Sequence, residues 1–118
     1  MSINPEHVDN IISGEKTYEF RKEKCKKKID SIVIYSTAPV MKVVAEVEVV
    51  DIIEGTPEFV WNQTLDGAGI NKAFFDSYFY NRQTAFAYCL GKVKLFTRSR
   101  SLSYYDIKTA PQSFVYLN

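Results

Sequence analysis

Lys16, Thr17, Glu19 and Arg21 are the residues of the run Gly14-Glu15-Lys16-Thr17-Tyr18-Glu19-Phe20-Arg21 that can do chemistry. Arg21 can grip a phosphate or the edge of a base through a two-pronged hydrogen bond. Lys16 is a point charge whose pKa falls if a cleft buries it, which suits a base or a polarising donor. Glu19 can accept from the exocyclic amine of a base. Strand parity puts Tyr18 and Phe20 on one face and Thr17, Glu19 and Arg21 on the other. The carboxylate and the guanidinium then stand roughly 7 Å apart along the strand. The alternative reading of the same residues is a surface ion pair worth about 0–1 kcal/mol.

The elements that must position these groups follow from patterning. Ser2-Ile3 reads as the end of a short first strand. Asn4 can cap a helix and Pro5 suits its first position, while Val8, Ile11 and Ile12 form one apolar stripe. Gly14 fits the left-handed position that ends such a helix. His7, in the first turn, is expected to be exposed. Residues 17–22 read as a strand, followed by a basic loop, a buried strand over 32–35 and a turn over 36–39. From Met41 to Val49 apolar and polar residues alternate, then the phase shifts so that Val50 and Ile52 are apolar where Glu48 was polar. A bulge does this, and bulges bend long strands around barrels. Thr56 and Pro57 open a helix with Phe59, Val60 and Trp61 as its apolar surface. A glycine-bearing loop, 66–69, leads to a second helix capped by Asn71, with Ile70 and Phe75 spaced as a hydrophobic staple. Phe74, Phe75, Tyr78 and Phe79 read as its buried stripe. A strand over 84–90, interrupted at Gly91, continues over 92–97 with reversed phase. Residues 103–107 suggest a turn of helix and 113–117 a last strand.

Gly14, Lys16, Glu19 and Arg21 keep the spacing Gly-x-Lys-x-x-Glu-x-Arg after a short amphipathic helix, and this resembles the signature of the ASCH domain, a PUA-like family. The resemblance extends through the order of elements across nearly the whole chain. It implies an α+β fold: a small PUA-like mixed β-barrel of about five to six strands, with a short N-terminal helix and two helices inserted between long strands. It also implies RNA or a modified nucleoside as partner, bound in the cleft where the motif sits. By the same resemblance the segment Gln112-Ser113-Phe114 closes that cleft, where a base can stack on Phe114 or Tyr116 while Gln112 reads an edge. Tyr35 and Ser36 are further candidates for the cleft wall. One branch of the family hydrolyses the acyl amide of acetylated cytidine, and this chain matches it at Gly14, Lys16 and Arg21. Glu19 stands where that branch has its threonine nucleophile, and Asp66 is the only acid near the position of its catalytic glutamate. An enzyme built on these residues would use Lys16 and Glu19 as an acid–base pair, as a nucleoside amidohydrolase or a ribonuclease.

Length and charge set the remaining bounds. At 118 residues the chain is read as one domain, 1–118. Net charge is only +1, so there is no global pull toward polyanions. Its distribution is uneven: Lys16, Arg21, Lys22, Lys24, Lys26, Lys27 and Lys28 crowd one segment, and Lys92, Lys94, Arg98 and Arg100 another. If the two segments meet, Lys22, Lys24, Lys92, Lys94 and Arg98 form one face that guides a nucleic-acid backbone. Glu46, Glu48, Asp51, Glu54 and Glu58 make an opposing acidic block, which alternatively suits a protein-interaction module. Cys25 lies in the basic loop, where positive charge would activate its thiol, and Cys89 reads as a small core residue. No metal-ligand spacing, cofactor motif, signal peptide or membrane span is visible, and a reducing cytoplasm fits the two unpaired cysteines.

Overall fold

The computed structural model describes residues 1–26 and 28–101. Along the chain run β1 (Ser2–Ile3), α1 (Pro5–Ser13), β2 (Tyr18–Arg21), β3 (Ser31–Ser36) and β4 (Lys42–Gly55). Then come α2 (Pro57–Gln63), α3 (Lys72–Tyr78) and β5 (Ala85–Arg100). The strands form one mixed sheet in the order β1-β3-β4-β5-β2, with β1 parallel to β3 and every other pair antiparallel. This is the expected α+β architecture, barrel-like in curvature, although the sheet does not close among the described residues. The expected strand over 113–117 and the helical turn over 103–107 lie outside the described residues.

Each helix begins where a polar side chain accepts from an otherwise unpartnered backbone N–H. Asn4 accepts from Glu6 N at 3.0 Å, Thr56 from Phe59 N at 3.2 Å and Asn71 from Phe74 N at 2.8 Å. Gly14 ends α1 at φ 87°, a left-handed conformation that costs a glycine nothing.

Two apolar clusters cover the two faces of the sheet. One joins Val8 and Ile11 of α1 to Ile32, Ile34, Val47, Val49 and Tyr88. The other joins Phe20, Ala85 and Ala87 to Val60, Phe75 and Phe79 of the inserted helices. The phase shift in β4 is a bulge: Val49 pairs with Leu90 but Asp51 with Cys89, so one residue is extra. Val50 is that residue and stands 62% exposed, while Ile52 returns to the α1 side of the core.

Three expectations are overturned by packing. Cys25 is not an exposed loop thiol: it is buried in the first cluster, and its backbone N–H donates to the Tyr88 hydroxyl at 2.8 Å. Cys89 is only half-buried. Ile12 and Phe74 fall off their helices' buried stripes and are partly exposed, because only one flank of each short helix meets the sheet. Among the described residues no helix is long and apolar enough to cross a membrane.

Candidate functional site

Among the described residues β2 is an edge strand, paired only with β5, with Glu19 opposite Tyr88 and Phe20 opposite Ala87. Successive side chains of a strand point to opposite faces. Glu19 therefore leans toward the α1 side and Phe20 toward the α3 side, and the sheet edge lies between the two helices. A cavity of about 160 Å³ opens there, walled by Ser2, Ile3, Asn4, His7, Lys16, Glu19, Phe20, Arg21, Ile70, Phe74 and Tyr78.

The ionic groups of the motif meet in this wall. Lys16 is 3% exposed and Glu19 7% exposed, which removes the surface-ion-pair reading for both. Lys16 Nζ donates to the Ala68 carbonyl at 2.8 Å, stands 3.7 Å from Glu19 Oε1 and lies 4.8 Å from the centroid of the Phe20 ring. Arg21 Nη2 lies 3.1 Å from Glu19 Oε2 and donates to the Ser2 carbonyl at 2.8 Å. Two cations thus share one carboxylate, leaving a surplus positive charge beside the cavity. Burial pulls the Lys16 pKa below its ordinary 10.5, against the opposing pull of Glu19. Burial pushes the Tyr78 phenol up, with the Arg21 charge opposing it.

The loop before α3 holds Lys16 in place. Gly69 has φ 69°, and a Cβ there would sit 2.5 Å from Lys16 Cβ, so only glycine lets the backbone close over the lysine stem.

Among the described residues, the buried side-chain polar atoms without a hydrogen-bond partner are Ser2 Oγ, His7 Nδ1 and Arg21 Nε. All three residues line this cavity. Buried polar atoms are nearly always paired, and these three are gathered around one hollow.

Other candidates lie elsewhere. Thr17 is exposed, with its hydroxyl against Gly67 and not in the cavity wall. Ser36 is buried on β3 beside Ile3 and does not line the cavity. Asp66 is exposed and absent from the wall. Gln112, Ser113 and Phe114 lie outside the described residues. Lys22 packs 4.7 Å over the Tyr78 ring, and Lys24 pairs with Glu54 at 3.9 Å.

Lys24 and Lys94, from the two basic segments, lie far apart. Glu54, the partner of Lys24, stands opposite Phe86, whereas Lys94 stands opposite Glu46, roughly 26 Å farther along β5 at strand rise. Much of the acidic block is engaged within the chain: Glu46 accepts from Ser31 Oγ at 2.7 Å and Asp51 from Ile52 N at 2.8 Å.

Ser2, His7, Phe74 and Tyr78 are among the site residues that sequence reading missed. His7 is half-buried and stacks edge-on to Phe74 with centroids 5.5 Å apart. The available signal was weak: His7 lies one residue from the buried face of α1, and an aromatic stripe on α3 is wider than one sheet face can cover.

Comparison with known proteins agrees with this architecture. The profile of the ASCH domain matches residues 1–96. The crystal structure of ASCH from Zymomonas mobilis superposes with a TM-score of 0.90 at 27% identity, covering 100% of this chain and 85% of that one. A Ser-to-Ala mutant of the same protein gives 0.91 at 26% identity, over 100% and 86% of the two chains. Among curated proteins, ATP synthase subunit alpha of Ureaplasma parvum is 25% identical over 118 residues. The large ribosomal subunit protein uL22 of that organism is 27% identical over the same length. Each match covers 99% of this chain, but the chain spans only 15% and 38% of those two relatives.

Proposed function

The chain belongs to the ASCH domain family, and from that premise we propose that it takes one base of an RNA, or a modified nucleoside, into the cavity beside β2. The observation that carries this reading is the trio of unpartnered buried atoms, Ser2 Oγ, His7 Nδ1 and Arg21 Nε, around a single hollow. Phe74 and Tyr78 supply ring faces for stacking, and Glu19 and Arg21 supply an acceptor and a donor for a base edge. Size narrows the class. Pockets for drug-sized ligands run to about 300–1,000 Å³, whereas an apolar cavity of about 150 Å³ suffices for benzene. At about 160 Å³ this cavity suits a single six-membered heterocycle, a pyrimidine, with sugar and phosphate outside. Family membership and the ribosomal name of one relative favour RNA as the source of that base, and the cytoplasm as the place.

Nuclear magnetic resonance titration with uridine, cytidine and adenosine tests the reading. Pyrimidine nucleosides are expected to shift the signals of His7, Tyr78 and Arg21, and His7→Phe, which keeps the ring against Phe74, is expected to weaken binding at least tenfold. Shifts scattered away from the cavity, or none at all, refute it.

The buried lysine also supports a second reading. Lys16, held below its ordinary pKa 3.7 Å from Glu19, is poised for proton transfer in hydrolysis of a nucleoside amide or a phosphodiester. Incubation with acetylated cytidine and with RNA, followed by chromatography, decides it. No product above a Lys16→Ala control removes it.

A further inference from the structure

The far half of β5 carries a second site. Ala45 pairs with Leu95 and Val43 with Arg100, so five steps along β5 are matched by two along β4. The three surplus residues make β5 arch away from its neighbour, and a concavity of about 560 Å³ lies at the arch. Its wall holds Lys42, Lys94, Arg98 and Arg100 together with Phe96 and, among the described residues, no acidic side chain. Lys42, Lys94 and Arg98 are exposed. Arg100 lies over Phe96 at 4.3 Å from the ring centroid, so the guanidinium covers one face of the ring and the other remains for stacking. Glu46, opposite Lys94 in the register, accepts from Ser31 Oγ on β3. Lys42, Lys94 and Arg98, exposed around one hollow, raise the local concentration of anions there.

We propose that this arch binds the phosphates of an RNA strand, as a backbone site separate from the base cavity. Cations placed beside an aromatic face are what single-stranded nucleic acid uses, phosphates against the charges and a base against the ring. The inference rests on the reading of RNA as partner, but on different residues: the chain grips a polynucleotide and not only a free nucleoside.

The test is fluorescence anisotropy with a labelled oligouridylate of roughly ten nucleotides at several salt concentrations, beside the uridine titration of the cavity. Each lost phosphate contact lowers the slope of log K against log salt by about 0.7 for a single strand. Lys94→Ala/Arg98→Ala is therefore expected to lower the slope by about 1.4 while leaving uridine binding unchanged. The charge-keeping Lys94→Arg/Arg98→Lys is expected to retain the slope. An unchanged slope in the alanine variant overturns the proposal, and so does a wild-type chain that ignores the oligonucleotide or prefers an acidic peptide or anionic vesicles. Absence of uridine binding with the slope effect intact refutes the cavity reading and supports this one.

Discussion

Replacing Glu19 by glutamine isolates the electrostatics of the cavity. The substitution keeps shape and a hydrogen-bonding carbonyl but leaves Lys16 and Arg21 without the carboxylate that both approach, at 3.7 and 3.1 Å. Removing one partner of a buried ionic arrangement costs about 3–5 kcal/mol. At roughly 4 °C per kcal/mol for a chain of this size, the melting temperature falls by roughly 12–20 °C. Lys16→Met is expected to behave differently. The Glu19–Arg21 pair survives it, and the lysine that burial destabilises in its charged form is gone. Loss of the bond to the Ala68 carbonyl offsets that relief, so stability stays within about 1 kcal/mol. The pH dependence has a definite sign. Because Lys16 is held below its ordinary 10.5, the unfolded chain binds more protons between the lowered value and 10.5. Wild-type stability gains a component as pH rises through that window, and Lys16→Met lacks it. Thermal melts of the three proteins, followed by circular dichroism at neutral and alkaline pH, provide the assay. If Lys16→Met loses as much stability as Glu19→Gln, the lysine is a structural brace and the reasoning fails.

Phe74 is 49% exposed, so Phe74→Ala is expected to leave the melting temperature nearly unchanged while weakening pyrimidine binding by about 1–3 kcal/mol, measured by calorimetry. Gly69→Ala forces a side chain into the left-handed region and against Lys16; it is expected to lower stability by at least about 1–2 kcal/mol in denaturant titration, and to weaken nucleoside binding with it. Tyr88→Phe leaves the Cys25 N–H without its hydroxyl partner in the core, and is expected to cost about 1–3 kcal/mol in the same titration with the cavity unaffected.

The sequence made the local chemistry legible wherever one residue dictates one conformation. Asn4, Thr56 and Asn71 cap their helices, Gly14 takes its left-handed turn, and the phase change after Val49 is a bulge. What patterning could not supply is which flank of a short helix faces a sheet edge. Phe74 and Tyr78 share a helical stripe with Phe75 and Phe79, yet the first two line the cavity and the second two enter the core. His7 was out of reach for the same reason. The two basic segments were legible as charge but not as place, because long-range register, not composition, fixes the distance between Lys24 and Lys94.

The arrangement at β2 is hard to explain as scaffolding. A structural ion pair in a small domain does best at the surface, or with every lone pair and N–H engaged. Here the lysine and glutamate are nearly closed to solvent, the lysine is pushed toward its neutral form, and Arg21 Nε, His7 Nδ1 and Ser2 Oγ lack partners around the same hollow. Each of these features costs folding free energy. Refilling the hollow with apolar side chains would remove the cost. A ligand that supplies the missing hydrogen bonds offsets part of these costs. The same reasoning implies that the bound protein resists unfolding more than the free one, by RT ln(1 + [L]/Kd). A saturating pyrimidine ligand is expected to raise the melting temperature of the wild type but not of His7→Phe at the same concentration, which differential scanning fluorimetry measures; equal shifts in both proteins would place the ligand somewhere other than beside β2.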